Sequence, residues 1–206
     1  MTLGSIRDQL LYLWFQLHIP LGGQVERFHS LSHEEAVAEL MTCCAVRSWA
    51  VQMSGLRPFP DETAFAATGR KLAEQLSWPE VLQALSAHPR IGQRVAAPDA
   101  ANAPDTAPAP EAAHASETAR AKEAQWSRQE QAGVSDSSQE ALVAGNIAYE
   151  RRFGHIYLIC ATGLSGEQML AELTRRLEND AAQEQAEVRR ELAKIVELRL
   201  RKLVAA

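Results

Sequence analysis

Apolar residues recur at helical spacing along most of this chain. Val37, Leu40, Met41 and Cys44 fall at i, i+3, i+4 and i+7, one face of an α-helix. Ser32 and Glu35 form a capping box just before them, so the helix should start near His33. Trp49 and Met53 prolong the pattern. One long helix is therefore predicted as far as Arg57-Pro58-Phe59-Pro60, where the prolines must stop it. A second helix is predicted over 62–75. Ser77-Trp78-Pro79-Glu80 opens a short one, with proline in the first turn, where a missing N–H costs nothing. Val81, Leu82 and Leu85 carry it to His88. From Ser138 to Arg152, Leu142, Asn146, Tyr149 and Phe153 share a stripe that Gly154 closes. Ser165-Gly166-Glu167-Gln168 caps the next helix, with Leu170, Leu173 and Leu177 as its predicted buried edge. Asn179-Asp180 breaks it, and a last helix is predicted over 183–203.

Three stretches depart from this pattern. Ile156-Tyr157-Leu158-Ile159-Cys160 is β-rich and bounded by glycines, but a lone strand makes no sheet. The expected class is therefore all-α: an irregular multi-helix bundle in a single domain, with one short extended segment. Residues 96–119 are mostly Ala, Pro, Asp and Thr, and they read as a flexible insertion. Helical register returns near Ser116 and passes through Trp126. Residues 1–25 read as an N-terminal extension, with Ile6, Leu10, Leu13 and Leu17 on one face of an amphipathic helix. The main domain is expected over 26–206.

Composition narrows the partners. A net charge of −5 gives nucleic-acid binding little support. No run reaches the roughly 18 apolar residues of a membrane span. Cys43, Cys44 and Cys160 form no CxxC pair, which suits reduced thiols in the cytosol. Cys43 and Cys44 are expected to face different ways on a helix. His29 and His33 are four apart, but the cap at Ser32 separates them, so no metal site is expected. Phosphate loop, dinucleotide fingerprint and nucleophile elbow are all missing.

Four features could carry chemistry. His88-Pro89-Arg90-Ile91-Gly92 places an imidazole at a helix end, because the residue before proline leaves the α region. A capping or solvated histidine is the plainer alternative. Ser127-Arg128-Gln129-Glu130-Gln131 is itself a capping box, and it also sets a glutamate beside free helix N–H groups that could meet a polar ligand. Arg199 lies seven after Leu192 and four before Leu203, in the middle of an apolar stripe. It either meets an anion in the interior or snorkels to water. Tyr157 to Ala161 lacks a sheet for its backbone groups, so a ligand rich in amides or neighbouring side chains must satisfy them.

In this order the motifs resemble one family, the 2-oxo-4-hydroxy-4-carboxy-5-ureidoimidazoline (OHCU) decarboxylases of uric acid breakdown. The matching stretches are HPRIG at 88–92, SRQEQAGV at 127–134, FGHIYLICATG at 153–163 and ELAKIVELRLRKL at 191–203. CCAVRSWAVQM at 43–53, followed by RPF at 57–59, also looks like the family. The resemblance implies cofactor-independent decarboxylation to (S)-allantoin, with no metal. It implies that His88 is the catalytic acid, assisted by Glu130 and Arg199. It implies substrate contacts at Pro89, at Ser127, Arg128, Gln129, Glu130 and Gln131, and along the backbone of Tyr157, Leu158, Ile159, Cys160 and Ala161. A small-molecule substrate, a homodimer and a cytoplasmic location go with it. The last agrees with a chain ending Leu-Val-Ala-Ala rather than Ser-Lys-Leu. Two rival readings fit less well. A catalytically silent helical scaffold would leave His88 and SRQEQ without purpose. Hydrolysis of 5-hydroxyisourate belongs to a β-rich fold.

Overall fold

The computed structural model describes residues 24–91, 125–126 and 136–205. Eight helices order them: α1 Gln24–Ser30, α2 His33–Met41, α3 Arg47–Gly55, α4 Glu62–Glu74, α5 Trp78–Ser86, α6 Asp136–Phe153, α7 Gly166–Arg176 and α8 Ala181–Ala205. Gln125 and Trp126 are also helical, and no strand occurs among the described residues. No helix among them is long and apolar enough to cross a membrane. Most of the extension at 1–25 and all of the insertion at 96–119 lie outside the described residues.

The caps explain most boundaries. Ser32 N–H donates to Glu35 at 2.8 Å, and Glu35 N–H donates to Ser32 Oγ at 3.2 Å. The same reciprocal pair starts α7 between Ser165 and Gln168. Asp180 and Gln183 repeat it before α8. Gly154 ends α6 with φ of 76°, a left-handed conformation that glycine adopts without strain.

Two expectations require correction. The single long helix predicted from His33 towards Arg57 is two helices, α2 and α3. Thr42 closes α2 by turning its hydroxyl onto the Glu39 carbonyl at 2.7 Å, and Val46 is extended. The break lets Val37 and Leu40 of α2 join Trp49 and Met53 of α3 in one core. Cys43 and Cys44 therefore lie in the turn, not on a helix, and both are buried. The fully buried edge of α7 is Met169, Leu173 and Arg176, while Leu170 and Leu177, expected there with Leu173, are partly buried and pack against the same core. An internal carboxylate draws Arg176 inward and rotates the helix's buried face.

The core has two parts. The larger joins α1–α5 to α8 through residues such as Phe28, Leu40, Trp49, Phe65, Leu85, Leu192 and Leu200. Helices α4 and α8 pack closely because Gly69 allows it: a methyl there would lie 2.1 Å from Leu200 Cδ1. Trp49 fixes the same spot, its indole N–H donating to the Gly69 carbonyl at 3.1 Å. The smaller part holds Ile91, Leu142, Tyr149, Tyr157, Ile159, Ala161, Met169 and Leu173. Val25 belongs to the larger core, so α1 packs as part of the fold.

Candidate active site

The site is assembled from the end of α5, the last turns of α8 and the 156–161 segment. Helix α5 stops at Ser86, as proline at 89 requires, and His88 N–H still donates to the Leu85 carbonyl at 3.0 Å. The ring is anchored by Nδ1, 2.9 Å from the Ala84 carbonyl. A carbonyl oxygen can only accept, so Nδ1 carries the hydrogen and Nε2 keeps a lone pair. Nε2 is buried. Burial first, and then the nearby Arg199 charge, push the His88 pKa down to about 3. The imidazole is therefore neutral at physiological pH, with its basic nitrogen turned into a water-poor environment.

Arg199 is 0% exposed, which settles the choice between an interior and a snorkelling side chain in favour of the interior. It projects from the apolar face of α8 among Leu192, Ile195, Val196 and Leu203. An arginine here places a permanent positive charge beside His88, suited to a carboxylate by two parallel hydrogen bonds.

Helix α6 holds the loop after His88. Glu150 takes a bidentate pair from Arg90, at 2.6 and 2.8 Å. One turn earlier Asn146 donates to the Ile91 carbonyl at 2.8 Å from a buried position. The exposed ion pair adds little stability, but two contacts in register fix the loop's path. Arg90 holds the Glu150 carboxyl below its usual range. Pro89, between these anchors, is half-buried.

The 156–161 segment is extended in its packing. Tyr157, Ile159 and Ala161 enter the smaller core, while Ile156, Leu158 and Cys160 pack on the larger. This alternation is the period of a strand, here inserted between helices. Side chains replace a neighbouring strand. Arg176 Nη1 donates to the Leu158 carbonyl at 2.7 Å, and Cys160 N–H donates to Glu191 Oε2 at 2.9 Å.

Arg176 heads a buried polar cluster. Its Nε donates to Glu184 Oε1 at 2.9 Å, and the Tyr149 hydroxyl donates to the same carboxylate. Asn179 Nδ2 supplies a further bond to Glu184 Oε2 at 2.7 Å. The guanidinium lies over the Tyr157 ring at 4.9 Å and the Tyr149 ring at 5.8 Å. Burial alone would raise the Glu184 carboxyl, but hydrogen bonds from Arg176 and Tyr149 outweigh it and keep the group ionised. Burial pushes both phenols upward, so they remain neutral donors.

The structure thus brings His88 beside Arg199, and sets the His88 loop against the extended segment through Ile91, which shares a core with Tyr157, Ile159 and Ala161. Ser127, Arg128, Gln129, Glu130 and Gln131 lie outside the described residues. Among the described residues no cluster of three His, Cys, Asp or Glu could hold a metal. Sequence reasoning missed Arg176, Glu184 and Glu191. A signal existed for two of them: Arg176 sits three after Leu173, and Glu184 four before Val188, so each falls in line with an apolar stripe.

Known proteins resemble this chain over most of its length. Residues 29–201 match the OHCU decarboxylase family. A curated relative, the uric acid degradation bifunctional protein TTL of Arabidopsis thaliana, is 31% identical over 169 residues. That match takes in 80% of this chain but only 46% of the plant protein. A crystal structure of OHCU decarboxylase in the presence of (S)-allantoin superimposes with a TM-score of 0.61 at 28% identity. It covers 82% of this chain and 99% of the other. A crystal structure of (S)-allantoin synthase shares the fold, with a TM-score of 0.56 at 16% identity over 87% of this chain and 53% of its own. The family match spans nearly the whole described fold, and the chain belongs to the OHCU decarboxylase family.

Proposed function

We propose that this chain decarboxylates 2-oxo-4-hydroxy-4-carboxy-5-ureidoimidazoline to (S)-allantoin without a cofactor. The observation that carries the reading is His88, neutral and tautomerically fixed beside the buried Arg199. The substrate bears a carboxylate and a hydroxyl on one ring carbon, next to a ring C=N bond. When the carbon–carboxylate bond breaks, CO2 leaves and the electron pair forms a carbon–carbon double bond. The C=N electrons move onto nitrogen, which takes a proton. The hydroxyl then loses its proton as it becomes a carbonyl, and the neighbouring carbon takes one. The substrate is its own electron sink, so the protein supplies orientation, charge and proton transfer.

A lone pair on Nε2 makes His88 an acceptor first. It takes the hydroxyl proton and hands it to the adjacent carbon, so its acid role follows its role as base. Delivery from one fixed side chain makes the product a single enantiomer. Arg199 orients the departing carboxylate. Glu130 and Gln131 hold the ureido and ring N–H groups, and Ser127, Arg128 and Gln129 are the further substrate contacts that the family resemblance implies. Pro89 and the backbone of Tyr157 to Ala161 bind the ring. A cytoplasmic homodimer accompanies this reading and rests on the family resemblance.

The test is CO2 release and allantoin formation from freshly generated substrate by purified protein. Rates above the spontaneous reaction support the reading, and rates equal to it oppose it. The pH dependence follows from His88. Its pKa is lowered, so the free enzyme keeps the basic form from about pH 5 to 8, well above the folded value of about 3. The kcat/KM profile should show no histidine-type inflection near 6.5. An acid limb centred there would contradict the buried neutral imidazole. The same shift makes folding stability complete above about pH 6.5 and steadily lower as pH falls from there towards 3.

A further inference from the structure

In an extended backbone, the N–H and C=O of one residue point to one edge and those of the next residue to the other. Leu158 and Cys160 therefore share an edge, and Ile159 faces the opposite one. On the first edge Arg176 supplies a donor to the Leu158 carbonyl and Glu191 supplies an acceptor to the Cys160 N–H. A donor and an acceptor at this spacing are what a neighbouring strand would offer. Ile159 is buried, yet among the described residues no hydrogen bond engages its N–H or C=O.

We propose that Arg176 and Glu191 are positioning residues: together they stand in for a strand on one edge of the 156–161 segment, and so aim the Ile159 peptide groups on the other edge at the amide-like groups of the substrate ring. The inference rests on the decarboxylase reading. Arg176 is held rigidly by Glu184 and two aromatic rings, so that half of the device is built into the core. Glu191 is the accessible half. It is only partly buried, and its second oxygen takes a bond from the exposed Lys194 at 2.6 Å. Neither residue touches a reacting atom. Each acts by keeping the segment from rotating about its own axis, which would turn the Ile159 groups away from the ring.

The experiment compares Glu191→Ala, Glu191→Gln and Lys194→Gln with the wild-type chain on freshly generated substrate. Glu191→Ala should raise KM about tenfold and leave kcat within about threefold, the signature of lost uniform binding. It should also erode the enantiomeric excess of the allantoin. Glu191→Gln should restore both, because its carboxamide oxygen still accepts the Cys160 N–H. Lys194→Gln should match wild type. A purely structural role would not split KM from kcat. If Glu191→Ala does not fold, Glu191→Asp, which withdraws the carboxylate by one methylene, should raise KM in the same way. A wild-type KM and enantiomeric excess in a folded Glu191→Ala or Glu191→Asp protein, with an active wild type, overturns the positioning role and leaves the decarboxylase reading standing. An inactive wild type overturns that reading, and the positioning role with it.

Discussion

Replacing Glu184 by alanine should lower the unfolding free energy by up to about 3–5 kcal/mol, the cost of taking its closest carboxylate from a buried cation that keeps only Glu187, 3.5 Å from Arg176 Nε. Arg176 is 0% exposed and leans on Glu184 through Nε, while the Tyr149 hydroxyl and Asn179 depend on the same carboxylate. One substitution therefore takes a shared partner from three groups, in a cluster that joins α6, α7, α8 and the extended segment. Urea denaturation followed by helical circular dichroism measures it, as a lower midpoint at unchanged slope. Replacing Arg176 by methionine and Glu184 by leucine together should cost less than either change alone, since no unpaired charge then remains inside. A loss under about 1 kcal/mol for Glu184→Ala would mean that the cluster reaches water and is not a core element. The Glu184 carboxyl is held below its usual range, so its contribution is present at neutral pH and lost as pH falls through the acidic range.

Replacing His88 by asparagine or alanine should reduce kcat/KM by about 10²–10⁴-fold, the usual worth of a positioned acid–base group. Asparagine is the sharper variant. Its amide N–H can keep the bond to the Ala84 carbonyl that Nδ1 now makes, so the loop and the end of α5 should stay in place. What disappears is the lone pair on Nε2. Thermal unfolding should shift little while turnover collapses. Wild-type turnover in His88→Asn would show that the imidazole only caps the helix. The steepness of the loss also tests the proton route. If His88 both removes the hydroxyl proton and returns it to carbon, the product that still forms should be close to racemic.

The helical frame was largely legible, because apolar spacing and capping residues act locally. Ser32–Glu35 and Ser165–Gln168 mark their helix starts as read from the chain. Arg199 was legible as a candidate, since a charge inside an apolar stripe either meets an anion or snorkels to water, and burial of the side chain decides between the two. The break at Thr42–Val46 was not, since the pattern continues across it and only packing of α2 on α3 requires the turn. Arg176 and Glu184 each carried the weaker signal of a charge in line with an apolar stripe near a helix end, and only the partner on another helix distinguishes them from solvated charges. Glu191 escaped more completely, as its role depends on a backbone N–H 31 residues earlier in the chain. The tautomer of His88 is set by tertiary structure alone, because only the position of the Ala84 carbonyl decides it.

On this mechanism the chain protonates one carbon on one face after losing CO2. Circular dichroism of the product formed by the wild-type chain on freshly generated substrate tests it most directly. The prediction is a growing signal of (S)-allantoin, faster than spontaneous decay and abolished in His88→Asn. An optically silent product accumulating at the spontaneous rate would contradict the account.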